Sequence, residues 1–457
     1  MDIKQLYNLY KQHPCITTDS RNCPKDSIFL ALKGDRFDGN QYAQVALQQG
    51  CAYVIVDDPS VVDHTSDQFI LVDDCLQTYK LLAREHRRQF NIPVIAITGT
   101  NGKTTTKELI KAVLSEKYNV LATEGNFNND VGVPKTLFRL TTEHEIAVIE
   151  MGASHPGDIK TLVETAEPTC GLITNVGRAH LLGFGSFEGV VKTKGELYDY
   201  LRSRADGLVF INADQDELVD LIADDEELWV SPYSTDPEKQ YQCISGEVIS
   251  CSPLLKMRWR KPLMTLEEEG ASTKWHKVQT QLVGSYNIYN VLAAVAVGIN
   301  FGVERKAICH AIENYQPTNN RSQLTHTDHN TLVVDAYNAN PSSMMAAVEN
   351  FALLSVDDSQ QSSPNPQTKK MLILGDMLEL GEASAEEHQK LVDFITLQPF
   401  DRVILVGGEF AGTSCHFEKY PNVEAVADAL KQEQPQGYTI LIKGSNGTKL
   451  YQLPQYL

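Results

Sequence analysis

The sequence has no C-x-x-C pair; its nine cysteines, an odd number, lie scattered through 457 residues. That argues against a disulfide framework or a zinc ribbon and fits free thiols in a reducing compartment. Positive charge is also in deficit. The formal net charge of −19 argues against nucleic acid or an anionic membrane surface as the main partner. No window approaches the roughly 20 consecutive apolar residues of a membrane-spanning helix. The N-terminal "MDIKQLYNLYKQHP" has no apolar core of signal-peptide length, and no short period repeats. The expectation is a soluble cytoplasmic protein without membrane insertion. What is present is core material: 42% of residues are hydrophobic, and the length suggests about three domains.

The runs divide accordingly. Residues 1–88 carry short β-rich stretches such as "SIFLALKG", "AYVIVDD" and "FILVDD" around a helical "QYAQVALQQG", a small α/β unit. Residues 89–315 hold longer apolar runs, "VIAIT", "IAVIEMGA", "GLITNVG" and "GLVFINAD". Runs apolar on both faces suit a buried, mostly parallel sheet with helices on each side. Residues 221–280 break that rhythm and are expected to be an irregular excursion at an edge. Residues 316–457 alternate strands ("TLVVDAY", "KKMLILGDM", "DRVILVGG", "YTILIKGS") with helices ("SSMMAAVENFALL", "VEAVADALKQ"), the pattern of a Rossmann-like doubly wound domain. The polar run 357–370 reads as a surface loop.

Chemistry concentrates first in "VIAITGTNGKTTTKELI". A buried strand leads through Gly99, Thr100, Asn101 and Gly102 into a helix opened by Lys103, Thr104 and Thr105. Two glycines let backbone N–H groups turn around an anion, and the helix N-terminus adds partial positive charge. Lys103 can reach the β- and γ-phosphates of a nucleotide, and the Thr104 hydroxyl can ligate Mg2+. The common pattern G-x-x-x-x-G-K-[ST] fails at its first position, where Ile97 stands. Glu150, at the end of "IAVIE", faces the crevice beyond a parallel strand and suits Mg2+, which favours carboxylates, phosphate oxygens and water. His180 lies in a glycine-rich loop. Lys192 and Lys194 cannot share one helix face, and spacing does not say which points inward.

The loop T-G-T-N-G-K-T resembles that of the Mur ligase family, in which the first glycine is displaced, here to Gly99. The resemblance covers nearly the whole chain and implies ATP-driven amide-bond synthesis with two Mg2+ ions. It implies a CO2-derived carbamate on the lysine fourteen residues after the histidine, Lys194, with His180 beside it among the metal ligands. "TEGNFNNDVGVP" is similar to the loop that meets the muramoyl substrate, assigning Asn126, Asn128 and Asn129 to it, with Asn128 also near the reacting carboxylate. Asp19, Ser20, Arg21, Lys33 and Gly34 match the uridine-nucleotide site. "VVDAYNANPSSMMAAV" resembles the D-x-Y-N-A-N-P-x-S-M signature, giving Asp335 to the ribose, Tyr337 to ATP and Asn338 to substrate. Asn287 and Asn290 are implied at the adenosine, Arg321 at the γ-phosphate, and Lys443 and Ser445 near D-alanyl-D-alanine. Three places depart from the pattern: Tyr286 stands where histidine is frequent, the residues flanking Arg321 in "NNRSQ" differ, and Asn446 stands where arginine commonly follows K-G-S.

Together these imply a family member that joins D-alanyl-D-alanine to UDP-N-acetylmuramoyl-tripeptide through an acyl phosphate, as a monomer, with the C-terminal domain closing over the central one. Folylpolyglutamate synthase and the Mur ligase that adds the third amino acid are alternatives with the same chemistry. A non-catalytic nucleotide-binding module is the alternative of a different class.

Overall fold

In a computed structural model the described residues are 1–34, 37–223, 227–262, 274–317, 321, 323–354 and 369–457. The expected loop at 357–370 lies outside them except for Lys369 and Lys370, which open a strand. Among the described residues no helix is long and apolar enough to cross a membrane.

The chain divides into two compact units: residues 1–96, 119–152 and 158–169, and residues 97–118, 153–157 and 170–457. The first holds a parallel sheet in the order Ile16–Thr17, Ile28–Leu30, Tyr53–Val56, Phe69–Leu71. Its core gathers Ile28, Leu30, Val54 and Ile55 with Leu6, Tyr10 and Leu82 from flanking helices. Helix Ile3–Gln12 is started by a capping box between Asp2 and Gln5, two orphan N–H groups satisfied reciprocally. The unit also contains the parallel pair Val120–Ala122 and Ile146–Glu150.

The second unit carries Cys170–Ile173, Leu208–Asn212, Trp229–Ser234 and Ile244–Cys251 as successive parallel neighbours. Leu254–Arg260 and His276–Val283 then add antiparallel. Among its described residues, the segment expected to be irregular is therefore more strand than loop. Its outer strands face the core on one side only, so Leu254–Arg260 alternates buried Leu255, Met257 and Trp259 with more exposed lysine and arginine. That alternation hides the apolar content that made inner strands conspicuous.

A second sheet in this unit runs Gln323–His326, Thr331–Asp335, Tyr438–Lys443, Lys369–Gly375, Arg402–Val406, Glu418–Tyr420, parallel except for its first strand. Strand Lys369–Gly375 shows why it reads as a continuous apolar run: Leu372 and Leu374 join a cluster with Phe351 and Leu391. Met371 and Ile373 join another with Leu430 and Leu453. The carboxyl ends of these strands bring Asp335, Lys443 and Asp376 to one edge, where ligands bind in open α/β sheets.

Candidate functional site

Strand Val94–Thr98 is fully buried and feeds the loop into helix Lys103–Ser115. Gly99 and Gly102 take positive φ, +138° and +78°. Both glycines are also required by space. A Cβ on Gly99 would lie 2.1 Å from Thr174 Oγ1, and one on Gly102 would lie 2.6 Å from Asn290 Oδ1. The end of the neighbouring strand braces the loop. Thr100 N donates to Asn175 O (2.9 Å), Asn101 N to Asn175 Oδ1 (3.0 Å), and Thr174 Oγ1 to Asn101 O (2.6 Å). The displaced glycine thus has a physical cause: the loop turns at Gly99, where it presses on Thr174. Lys103 Nζ folds over this turn, donating to Gly99 O (2.6 Å) and Thr100 O (3.0 Å), and Thr104 is buried beneath.

Asn287 and Asn290 open helix Asn287–Asn300 and are both buried. Asn290 Oδ1 accepts from Thr106 Oγ1 (3.0 Å), Asn290 Nδ2 donates to Asn287 Oδ1 (2.8 Å), and Asn287 Nδ2 to Val283 O (2.8 Å). The structure places this pair behind the phosphate loop, as its buttress.

Lys192 is exposed, whereas Lys194, on helix Phe187–Arg202, is 2% exposed. The fold therefore turns Lys194 inward, over the Phe184 ring and toward Ala153 O at 3.5 Å. His180 Nδ1 pairs with the Glu379 carboxylate. Burial holds the His180 imidazole below its ordinary range; the Glu379 charge opposes this, and the Lys103 and Lys194 charges add to it. Both partners are non-glycine residues at positive φ, His180 at +50° and Glu379 at +69°, a conformation that surrounding structure must impose.

In the first unit Glu150 is 1% exposed. Its Oε1 accepts from Asn128 Nδ2 (2.9 Å) and its N–H donates to Thr123 Oγ1 (3.0 Å). Asn129 Oδ1 accepts from Gly132 N (2.8 Å), shaping the loop, and Asn126 is exposed. Asp19 and Arg21 form a two-bonded pair on the surface, and that guanidinium holds the carboxyl at about 2. Lys33 Nζ lies 2.9 Å from Asp57 Oδ1, and Gly34 follows it in a two-residue strand. The position of Ser20 is half-buried beside Asp19.

In the second unit Lys443 is 2% exposed, and its Nζ donates to Asp335 Oδ2 (2.6 Å) and Asn338 O (3.2 Å). Ser445 Oγ accepts from Leu378 N (3.0 Å), tying K-G-S to the G-D-M turn. Arg321 stacks on the Tyr337 ring at 3.9 Å, and Asn338 is exposed. Beside Asp335 lies a shallow slot lined by Val283, Gly284, Tyr286, Asn350 and Phe351 among others. The departure from the family pattern, Tyr286, is thus part of its wall.

Sequence reasoning gave no role to Thr174, Asn175, Asn340 or Glu379. The first three lie inside quoted motifs, and an amide or hydroxyl at the end of an apolar strand was the available signal. Glu379 is the glutamate of "GDMLELG", similar to the family's G-D-M-x-E-L-G segment, but nothing in that segment pointed to His180 as its partner.

Three family descriptions match in succession: Mur ligase family, catalytic domain, over residues 14–93; Mur ligase middle domain over 97–298; and Mur ligase, glutamate ligase domain, over 320–446. A UDP-N-acetylmuramoyl-tripeptide–D-alanyl-D-alanine ligase of Bacillus subtilis (strain 168) is 32% identical over 452 residues, covering 96% of this chain and 92% of the relative. A crystal structure of MurF from Acinetobacter baumannii superposes with a TM-score of 0.82 at 29% identity, over 96% of this chain and 92% of that one. The MurF ligase of Thermotoga maritima in complex with ADP gives 0.82 at 25% identity, over 97% and 96%.

Proposed function

The chain belongs to the Mur ligase family, and from that premise we propose the reaction it carries out: ATP-dependent joining of D-alanyl-D-alanine to UDP-N-acetylmuramoyl-tripeptide. It is an α/β enzyme, an ATP-dependent ligase, with the three-domain architecture of its relatives. The observation that carries this reading is the braced phosphate loop with Lys103 at its turn, on a chain alike over nearly its full length to ligases of that activity.

A carboxylate does not condense with an amine unaided, so the carboxylate must be activated. An oxygen of the tripeptide's terminal carboxylate attacks the γ-phosphorus of ATP, ADP leaves, and an acyl phosphate forms. The amine of D-alanyl-D-alanine then attacks the acyl carbon and phosphate leaves with the bonding electron pair. The Lys103 ammonium and the Arg321 guanidinium offset negative charge on the transferring oxygens. Asn126, Asn128 and Asn129 hold the muramoyl end, with Asn128 also fixing Glu150. Asp19, Ser20, Arg21, Lys33 and Gly34 take the uridine nucleotide. Asp335 and Tyr337 serve the adenosine side, where Asn287 and Asn290 act by supporting the loop from behind, and Asn338, Lys443 and Ser445 the dipeptide side.

Two Mg2+ ions belong to this reading, with Thr104, Glu150, His180 and a carbamylated Lys194 as ligands. The oxygen-rich donors suit that cation, and the inward, buried Lys194 suits a group that must be shielded from water. When bound, the ions would neutralise phosphate charge. The chain is read as a cytoplasmic monomer.

Phosphate release by the purified protein with ATP, Mg2+, the UDP-muramoyl-tripeptide and D-alanyl-D-alanine, each omitted in turn, tests the proposal. Release requiring both organic substrates, with a pentapeptide product by mass, is expected. Lys103→Ala should lose turnover and keep affinity for the UDP-substrate. Activity only with folate and glutamate, or with the dipeptide-stage precursor, would overturn the substrate assignment.

A further inference from the structure

Helix Pro341–Leu353 begins at Asn340, whose Oδ1 accepts from Ser343 N (2.9 Å) while Ser343 Oγ accepts from Asn340 N (3.1 Å). A cap needs only an acceptor, and Ser, Thr, Asp and Asn all supply one. Because Oδ1 is committed to the cap, the amide's orientation is fixed, and Nδ2 points the other way. There it donates to Asn101 Oδ1 at 2.7 Å, with the reciprocal Asn101 Nδ2 to Asn340 Oδ1 contact at 3.4 Å. Asn340 is 3% exposed, so an amide donor without a partner there would be costly.

Asn101, with Thr100, lies between the loop's two glycines. Its peptide is already held by Thr174 and Asn175, so Asn340 supplies a second hold, through the side chain. A neighbouring contact runs in the same sense: a Cβ on Gly177 would lie 3.1 Å from Ser342 Oγ. Of the capping residues, asparagine adds an N–H donor on the face away from the helix. The asparagine at 340 is accounted for by the loop as well as by the helix.

We propose that Asn340 is a positioning residue for the phosphate loop, coupling the seating of helix Pro341–Leu353 to nucleotide affinity through Asn101. This rests on the reading of the loop as an ATP site. Asn340→Ser and Asn340→Thr keep a capping oxygen and remove the amide Nδ2–H that reaches Asn101 Oδ1, their one short O–H not replacing it; Asn101→Ala removes the acceptor.

The test reads ATP dissociation constants directly, by displacement of a fluorescent ATP analogue, with thermal midpoints alongside. Each single variant should weaken ATP by about tenfold, the scale of one lost buried hydrogen bond. The double variant Asn101→Ala/Asn340→Ser should bind no worse than either single one, and the capping variants should keep the wild-type midpoint. Single effects that multiply in the double variant, or capping variants with unchanged affinity, would overturn the coupling. Asn340→Thr decides the case if the serine lowers the midpoint. Wild-type protein that binds ATP but does not use the muramoyl tripeptide removes the substrate assignment and leaves this coupling measurable; wild-type protein that does not bind ATP overturns both.

Discussion

Lys192 and Lys194 are two positions apart on one helix and live in different media, the first in water, the second at 2% exposure over Phe184. Lys192→Ala should change stability by less than about 0.5 kcal/mol, as surface substitutions do, and leave turnover intact. Lys194→Ala should lose turnover, and wild-type activity in CO2-depleted buffer should recover on adding bicarbonate; recovery of the variant by bicarbonate, or loss of activity at Lys192 instead, would contradict the assignment. Spacing showed that the two lysines diverge; the family resemblance pointed to Lys194, and the rotation of the helix about its axis turns that one inward. Glu379 marks the other limit. Its pairing with His180 joins residues far apart in sequence through two turns in strained backbone, and no periodicity encodes such a meeting.

Whole elements were far more legible than single side chains. Runs such as "VIAIT" and "KKMLILG" are apolar on both faces because both faces are buried, and they stand where the sequence puts them. The strands Ile244–Cys251, Leu254–Arg260 and His276–Val283 escaped because one face meets water, and the helix Ile3–Gln12 because it is short and largely polar on one side. The helix Cys75–Arg87 carries a consequence for pH. His86 on it accepts at Nδ1 from Tyr7 Oη–H (3.0 Å) and donates from Nε2 to Leu140 O (3.1 Å), beside the rings of Tyr10 and Phe138. Burial pushes its imidazole below the ordinary range. The unfolded chain therefore binds a proton at a pH where the folded one does not, so stability is fully present above the unfolded value of about 6.5 and falls as pH drops toward the folded value. Urea midpoints should decline from pH 7 to 5.5 in the wild type and decline less in His86→Phe; equal slopes would remove His86 as the source.

At the scale of the molecule, the nine cysteines are all free thiols, four of them buried. Denatured protein alkylated without reductant should therefore gain nine adducts by intact mass, and reductant should not move its thermal midpoint; fewer adducts would mean a covalent pairing the fold does not contain. The family signatures were readable from end to end because they sit where strands end in loops at the edge of open sheets, which restricts residue choice. The bracing around those signatures was not, since Thr174, Asn175 and Asn340 act by reaching across the fold rather than toward the ligand. That bracing bears on how fast the enzyme can exchange its fuel. A loop already tied at Thr100, Asn101 and Gly99 is a stiff socket, so capture of the nucleotide is governed by encounter rather than by rearrangement. Discrimination among nucleotides should then reside in how long each one stays.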